Sequence, residues 1–181
     1  MKYILLAVLL ITSLCSTTYA NLIIDPTRTI PYASGDESGQ QDIDEILLGL
    51  INTDIELYKQ NVDDSPDTGL FKDVYATAFL ADPTDPSGAL ISWTGTGTNS
   101  ILGGFLLVKD GKNNPAWYLF DLRTSWNGVE TLQLENFWPN QGAISHVAFY
   151  GAAPVPEPAT LLLFGVGLAS FASTRLKRRK S

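Results

Sequence analysis

The alternation of apolar and polar positions divides the chain into two apolar ends and a central part of short segments. Mostly apolar runs cover residues 4–14, interrupted only by Thr12 and Ser13, and residues 159–174. Between them, apolar residues occur in short runs that are separated by clusters of Gly, Pro, Asn and Asp, which is typical of strands joined by turns. The length of this central part predicts one domain over residues 21–153.

One helix is predicted near the start of the domain. Ile43, Ile46, Leu47 and Leu50 recur at helical spacing, and acidic residues fill the first turn, where the helix dipole favours them. We therefore expect a short helix over residues 40–50.

The rest of the domain alternates in the way that strands do. Residues 21–41 are polar and predict an extended lead-in, while the Asp-Pro-rich residues 82–88 and 110–115 predict loops. About seven strands are expected, at residues 55–59, 74–80, 89–94, 105–109, 116–122, 131–137 and 144–150. This pattern favours an all-β fold, an antiparallel β-sandwich of the jelly-roll or immunoglobulin-like class with one short N-terminal helix.

The N-terminal end has the features of a secretory signal peptide. Lys2 precedes the apolar run, and Thr18 and Ala20 place small residues at the −3 and −1 positions of a cut after Ala20. The run is too short for a stable helix across a hydrocarbon core of about 30 Å. We predict a signal peptide over residues 1–20, with an uncleaved anchor as the alternative.

The only cysteine lies in this segment. Cys15 follows Leu14, which is too large for the residue that precedes a lipidated cysteine, so we expect Cys15 to leave with the signal peptide. The mature domain would then contain no thiol and no disulfide, and its core alone would stabilise it.

The C-terminal end has three parts in a fixed order. Val155-Pro156-Glu157-Pro158 comes first, and Pro156 and Pro158 favour an extended backbone there. The apolar residues 159–174 follow, about 24 Å long as a helix, and predict a transmembrane helix. Basic residues within 175–181 end the chain and should stay cytoplasmic: Arg175, Lys177, Arg178, Arg179 and Lys180.

Residues 154–181 resemble a PEP-CTERM sorting signal, found in Gram-negative bacteria that make exopolysaccharide. The resemblance implies recognition by an exosortase, with a membrane-anchored stage before processing and a later place at the cell surface or outside the cell. Segments within residues 105–151 also resemble segments of PEP-CTERM ectodomains, and they imply no known activity. A GPI signal would lack the terminal basic cluster, and a plain single-span anchor would leave the Pro-Glu-Pro motif unexplained.

Charge restricts the partners of the exported domain. The whole chain has a formal charge of −7. Six basic and eighteen acidic residues remain once the two ends are set aside, which leaves a domain charge near −12. Nucleic acid and anionic lipid surfaces are therefore not expected partners.

Few residues predict catalysis. The single histidine, His146, follows Ser145 in a strand, where adjacent side chains point to opposite faces, so the two cannot form a nucleophile–base pair. One histidine and no mature cysteine also argue against a zinc site. We expect no enzyme activity, and an extracellular hydrolase is the least favoured function.

Two weaker ligand sites are candidates. Asp63, Asp64 and Asp67 place oxygen donors in one short loop, which suits calcium, although EF-hand spacing fails and turn formation explains the same residues. No other cofactor is expected. Trp126 and Trp138 lie near turns and could form a surface platform for a glycan, whereas Trp93 and Trp117 are expected in the core: core packing is the competing explanation for the first pair.

The sequence therefore leaves three functions open. The first is an exported, non-enzymatic protein with a structural or adhesive role in exopolysaccharide or biofilm. The second is a carbohydrate-binding module for the secreted polysaccharide. The third is the hydrolase.

Overall fold

A computed structural model describes residues 21–153, except 64, 83, 96–99, 111–112 and 140–142. This part of the chain forms one helix and nine strands in two sheets. In chain order they are β1 Leu22–Ile24, β2 Ala33–Gly35, α1 Gln40–Ile51, β3 Glu56–Asn61, β4 Tyr75–Asp82, β5 Asp85–Trp93, β6 Phe105–Lys109, β7 Trp117–Asp121, β8 Leu132–Leu134 and β9 His146–Tyr150. The predicted mostly-β architecture with one short helix is confirmed.

The helix α1 forms where the apolar spacing predicts it. Ile43 and Leu47 are fully buried and Ile46 is partly buried, but Leu50 is exposed. The helix ends at Asn52, whose left-handed backbone (φ 56°) lets its N–H donate to the carbonyl of Leu48. The buried stripe is therefore narrower than the sequence pattern suggests.

The four-stranded sheet has the order β1-β8-β5-β4. Its strands pair antiparallel except at one edge, where β1 runs parallel to β8. The prediction of a wholly antiparallel fold is wrong at this edge. Strand β1 is far from β8 in the sequence, so no hairpin dictates its direction.

The five-stranded sheet has the order β2-β7-β6-β9-β3 and is antiparallel throughout. Its strands end in two cross-strand rows, one at each end of the sheet. The exit end is the cross-strand row Glu56, Tyr150, Phe105 and Asp121. The far end is the cross-strand row Asn61, His146, Lys109, Trp117 and Gly35.

Three local predictions need correction. The lead-in contains β1 and β2, each only three residues long. The predicted loop 82–88 is largely strand, because β4 and β5 continue as a hairpin past a register shift after Leu80. A second register shift in β3 turns both Leu57 and Tyr58 inward, which breaks the expected alternation.

The core consists of two apolar clusters on opposite faces of the five-stranded sheet. The larger cluster contains residues of both sheets, such as Ile91 and Leu132 from one and Val108 and Phe149 from the other. The smaller cluster joins the helix to the other face of the five-stranded sheet, and its members are Ile43, Leu47, Phe105, Leu107, Ala116, Trp117, Leu119, Ala148 and Tyr150. The five-stranded sheet is thus covered on both faces.

Within the described residues, no helix is long and apolar enough to cross a membrane. The predicted transmembrane helix at 159–174 and the signal peptide at 1–20 lie outside the described residues.

Candidate functional site

The point where the chain leaves the domain is well defined. The N–H of Gly151 donates to the carbonyl of Ile55 (3.3 Å), and the hydroxyl of Thr53 donates to the carbonyl of Gly151 (3.1 Å). A Cβ at Gly151 would lie 2.9 Å from Cδ1 of the buried Leu57, so only glycine fits without movement. The domain therefore holds its C-terminal strand up to residue 151, shortly before the sorting segment.

The predicted sorting residues themselves lie outside the described residues. This holds for Ala20 at the expected signal cut, for Val155, Pro156, Glu157 and Pro158, and for the basic residues Arg175, Lys177, Arg178, Arg179 and Lys180. What the structure contributes is the anchorage of the chain immediately before them.

The predicted tryptophan platform is wrong in its central requirement, which is exposure. Trp126 is 6% exposed; its Nε1–H donates to the carbonyl of Glu130 (2.8 Å), and its ring stacks on Phe149 at 5.0 Å. The turn that follows Trp126 folds the ring back onto strand β9. No open indole face is left there for a sugar.

Trp138 is enclosed in a similar way. It is also 6% exposed; its Nε1–H donates to the carbonyl of Pro115 (2.7 Å), and its ring lies 5.2 Å from that of Tyr118. Its loop reaches across to the five-stranded sheet, a long-range contact that no local pattern predicts. Trp117 is buried as expected, and Trp93 is partly buried.

The candidate calcium loop has its described carboxylates engaged in the turn. Asp63 accepts hydrogen bonds from the backbone N–H and the hydroxyl of Ser65 (3.2 and 2.6 Å), and these bonds lower the pKa of Asp63. Burial raises the pKa of Asp67, which accepts a long hydrogen bond from the hydroxyl of Tyr58 (3.5 Å). Asp64 lies outside the described residues. Among the residues that the structure describes, no three His, Cys, Asp or Glu residues are grouped to hold a metal.

His146 is buried at the far end of the five-stranded sheet. Its Nε2 is shielded from solvent and makes no hydrogen bond within the described part of the chain. Burial, together with the charges of Lys59 and Lys109, lowers the pKa of His146 to about 3, so the imidazole is neutral at neutral pH. Ser145 donates its hydroxyl to the carbonyl of Lys109 (3.0 Å), so it is not held against the imidazole.

The neighbours of His146 make the far end unusual. Lys109 is largely buried beside His146. The pKa of Lys109 is lowered, mainly by burial and also by the nearby positive charge of Lys59. Next in the row, Trp117 donates its Nε1–H to a carboxylate oxygen of Glu37 (3.1 Å). No local sequence pattern predicts this grouping, because only the strand register brings these residues together.

One further buried carboxylate belongs to a turn. Asp25 accepts hydrogen bonds from the N–H of Thr27 and from the side chain of Asn136 (2.8 Å each), and Arg28 lies 3.6 Å away. Burial alone would raise the pKa of Asp25, but these partners outweigh it and lower the pKa. This carboxylate ties the end of β1 to the segment after β8.

Comparison with known families identifies the C-terminal segment. Residues 154–179 match the family model of the PEP-CTERM protein-sorting motif. The resemblance predicted from the sequence is confirmed: the chain carries this sorting motif. The motif implies recognition by an exosortase, export, and membrane anchoring before processing. No curated protein and no solved structure matches the chain.

Proposed function

We propose that this protein is an exported component of the cell envelope or extracellular matrix, processed by an exosortase. Its role would be structural or adhesive, within exopolysaccharide or biofilm, and not enzymatic. The observation that carries the proposal is the sorting motif at residues 154–179. The motif follows directly on a domain whose last strand is firmly held.

The chemistry of the domain supports a passive role. Its charge near −12 favours solubility and hydration in a polymer matrix. The side chains that resemble catalytic or metal-binding residues are engaged elsewhere or shielded. Ser145 donates its hydroxyl to the carbonyl of Lys109, Asp63 accepts the hydroxyl of Ser65 in its own turn, and His146 is buried.

The finer architecture is also part of this proposal. We infer that the two sheets form a β-sandwich of the jelly-roll or immunoglobulin-like class, which the core cluster shared by both sheets supports. In the same proposal, the signal peptide over residues 1–20 is removed. The apolar residues 159–174 then span the inner membrane until processing.

Binding to exopolysaccharide would use another surface than the predicted one. The carbohydrate-binding alternative relied on Trp126 and Trp138, and both rings are buried. Contact with the polymer would therefore be through polar groups of the exposed strands and loops.

The proposal is tested with a single carboxylate in the sorting motif. Glu157→Gln, expressed in a host that has the exosortase, should retain the protein in the inner-membrane fraction, while the wild type reaches the surface or the medium. Glu135→Gln makes the same chemical change inside the domain and should be released normally. Equal release of all three proteins would contradict the proposed processing.

A further inference from the structure

Several large apolar side chains are exposed around the exit end of the five-stranded sheet. Leu102 is 75% exposed, Tyr32 48%, Leu50 41% and Ile55 39%. Such side chains are common singly on soluble proteins, but a group of them at one place indicates an interaction surface. We call these four residues the exit patch.

The contacts of the exit patch place its members around the same strand ends. The hydroxyl of Tyr32 donates to the carbonyl of Leu50 (3.3 Å), and the ring of Tyr32 lies 5.4 Å from that of Phe105, the first residue of β6. Two members of the patch thus border the start of this strand.

The other two members flank the point where the chain leaves the domain. Ile55 accepts the backbone hydrogen bond of Gly151. The carbonyl oxygen of Gly103, next to Leu102, lies 3.8 Å from where a Cβ of Gly151 would be. The patch therefore lies beside the exit of the chain.

The length of chain beyond this exit limits how far the domain can move from a membrane. Residues 154–158 separate Ala153 from the apolar run that begins at Ala159. Even fully extended, this connection spans roughly 20 Å. Because the apolar run would be embedded in the bilayer in the proposed function, the exit end must stay close to the headgroups.

We propose that the exit patch docks on the phospholipid surface of the inner membrane while the sorting segment is still attached. This inference rests on the membrane anchoring in the proposed function. Its occupant is the boundary between headgroups and acyl chains, where half-exposed Leu, Ile and Tyr side chains are favourable.

The charges near the exit patch indicate that it does not select anionic lipid headgroups. Arg123 forms a bidentate ion pair with Asp121 (2.6 and 2.9 Å), so its charge is neutralised locally. Asp54 and Glu56 flank Ile55 in the sequence. The surface therefore has no net positive charge to attract anionic lipid, and docking should be apolar and nearly independent of salt.

The test uses residues 21–181, the chain without its predicted signal peptide, in phosphatidylcholine vesicles; this chain contains no cysteine of its own. A polarity-sensitive fluorophore is attached at Leu102→Cys or Ile55→Cys. The control is Asp85→Cys in the β4–β5 hairpin, near the far end and away from the exit patch. The neighbouring Pro86 places it there, because its carbonyl accepts a hydrogen bond from the N–H of Ile144, just before His146. Brominated acyl chains should quench the labels at 102 and 55 strongly, in low and high salt, and leave the label at 85 nearly unchanged.

A second variant checks that the patch itself causes the contact. Leu102→Glu should reduce the quenching of a label at Ile55→Cys. Ile23→Glu, an exposed apolar residue of the other sheet (49% exposed), should leave that quenching unchanged. Both positions are exposed, so neither change should unfold the domain.

The outcomes separate this inference from the anchoring on which it depends. Chain that floats with the vesicles while labels at 102 and 55 remain unquenched would overturn docking and leave anchoring intact. Labels that become shielded without quenching by brominated lipid would indicate contact between protein copies and would also overturn it. Chain that does not float would overturn both.

Discussion

The two ends of the five-stranded sheet differ in which side chains they bury and which they expose. The far end buries a histidine and a lysine, His146 and Lys109, whereas Leu102 and Ile55 of the exit patch, beside the exit end, are exposed to solvent. Burying groups that can be charged reduces stability unless they are paired, while exposed apolar side chains cost little in folding. The far end therefore contains groups whose burial lowers stability, whereas the side chains beside the exit end are the ones that the proposed membrane contact would use.

The largest expected difference between the ends comes from truncating a side chain at each. Trp117→Ala should lower the free energy of unfolding by about 3–5 kcal/mol, because the indole is buried and bonds Glu37. Leu102→Ala should change it by less than about 0.5 kcal/mol, since its side chain is already in water. Urea unfolding measures both, and similar losses would contradict the contrast.

The packing around Gly35 leaves no room for a larger side chain at the far end. A Cβ there would lie 2.6 Å from the ring of Trp117, closer than any real contact. The ring fits because β2 presents a glycine opposite it.

The pH dependence of stability should also come from the far end. The pKa of His146 is lowered to about 3 in the folded protein, against about 6.5 when unfolded. Between these values the unfolded chain binds more protons, so stability is complete above about pH 6.5 and falls as pH decreases toward 3. His146→Leu should remove up to a few kcal/mol of this decline.

The measurement is urea unfolding at several pH values between about 4 and 7. Carboxylates such as Asp25 produce their own acid destabilisation, since the pKa of Asp25 is lowered too, but that decline is common to both proteins. Parallel curves for the variant and the wild type would show that His146 is not held neutral.

A smaller effect is expected from the carboxylate that holds Trp117. Glu37→Gln should lower the free energy of unfolding by about 1–2 kcal/mol, because it replaces the carboxylate that accepts the indole hydrogen bond with a weaker amide acceptor. Glu45→Gln, on the exposed side of the helix, is the matched control and should change stability by about 0.5 kcal/mol or less. Equal effects would mean that the Glu37 contact contributes nothing.

The smallest effect is expected from calcium. Millimolar calcium should shift Tm by less than about 1 °C, because Asp63 is already hydrogen-bonded to Ser65 and the described residues hold no metal-ligand group. Differential scanning fluorimetry with and without a chelator measures the shift. A rise in Tm of several degrees would contradict this prediction and would support a calcium site in the loop of Asp63, Asp64 and Asp67.

Features that depend on local pattern were predictable from the sequence. The helix follows from the spacing of Ile43 and Leu47. Strand β6 has the predicted bounds because it lies between β7 and β9 with all five residues buried, which the uninterrupted apolar run in the sequence reflects. The sorting motif was predictable for the same reason, since its parts are adjacent in the chain.

Features that depend on long-range contacts were not. The strands β1 and β2 are three residues long and exist only through partners that lie 110 residues away for β1 and 82–86 residues away for β2. Trp126 looked like a surface residue because it precedes a turn, and only its contact with Phe149 reveals that it is core. His146 and Lys109 are brought together by register alone.

The central claim is that the C-terminal segment is a sorting signal that is processed. The most direct test is the intact mass of the protein recovered from cells with and without the exosortase. We expect the protein to lose the basic residues after 174 only when the enzyme is present. A chain that keeps Arg175 to Lys180 in both cells would contradict it and would make the segment a permanent anchor.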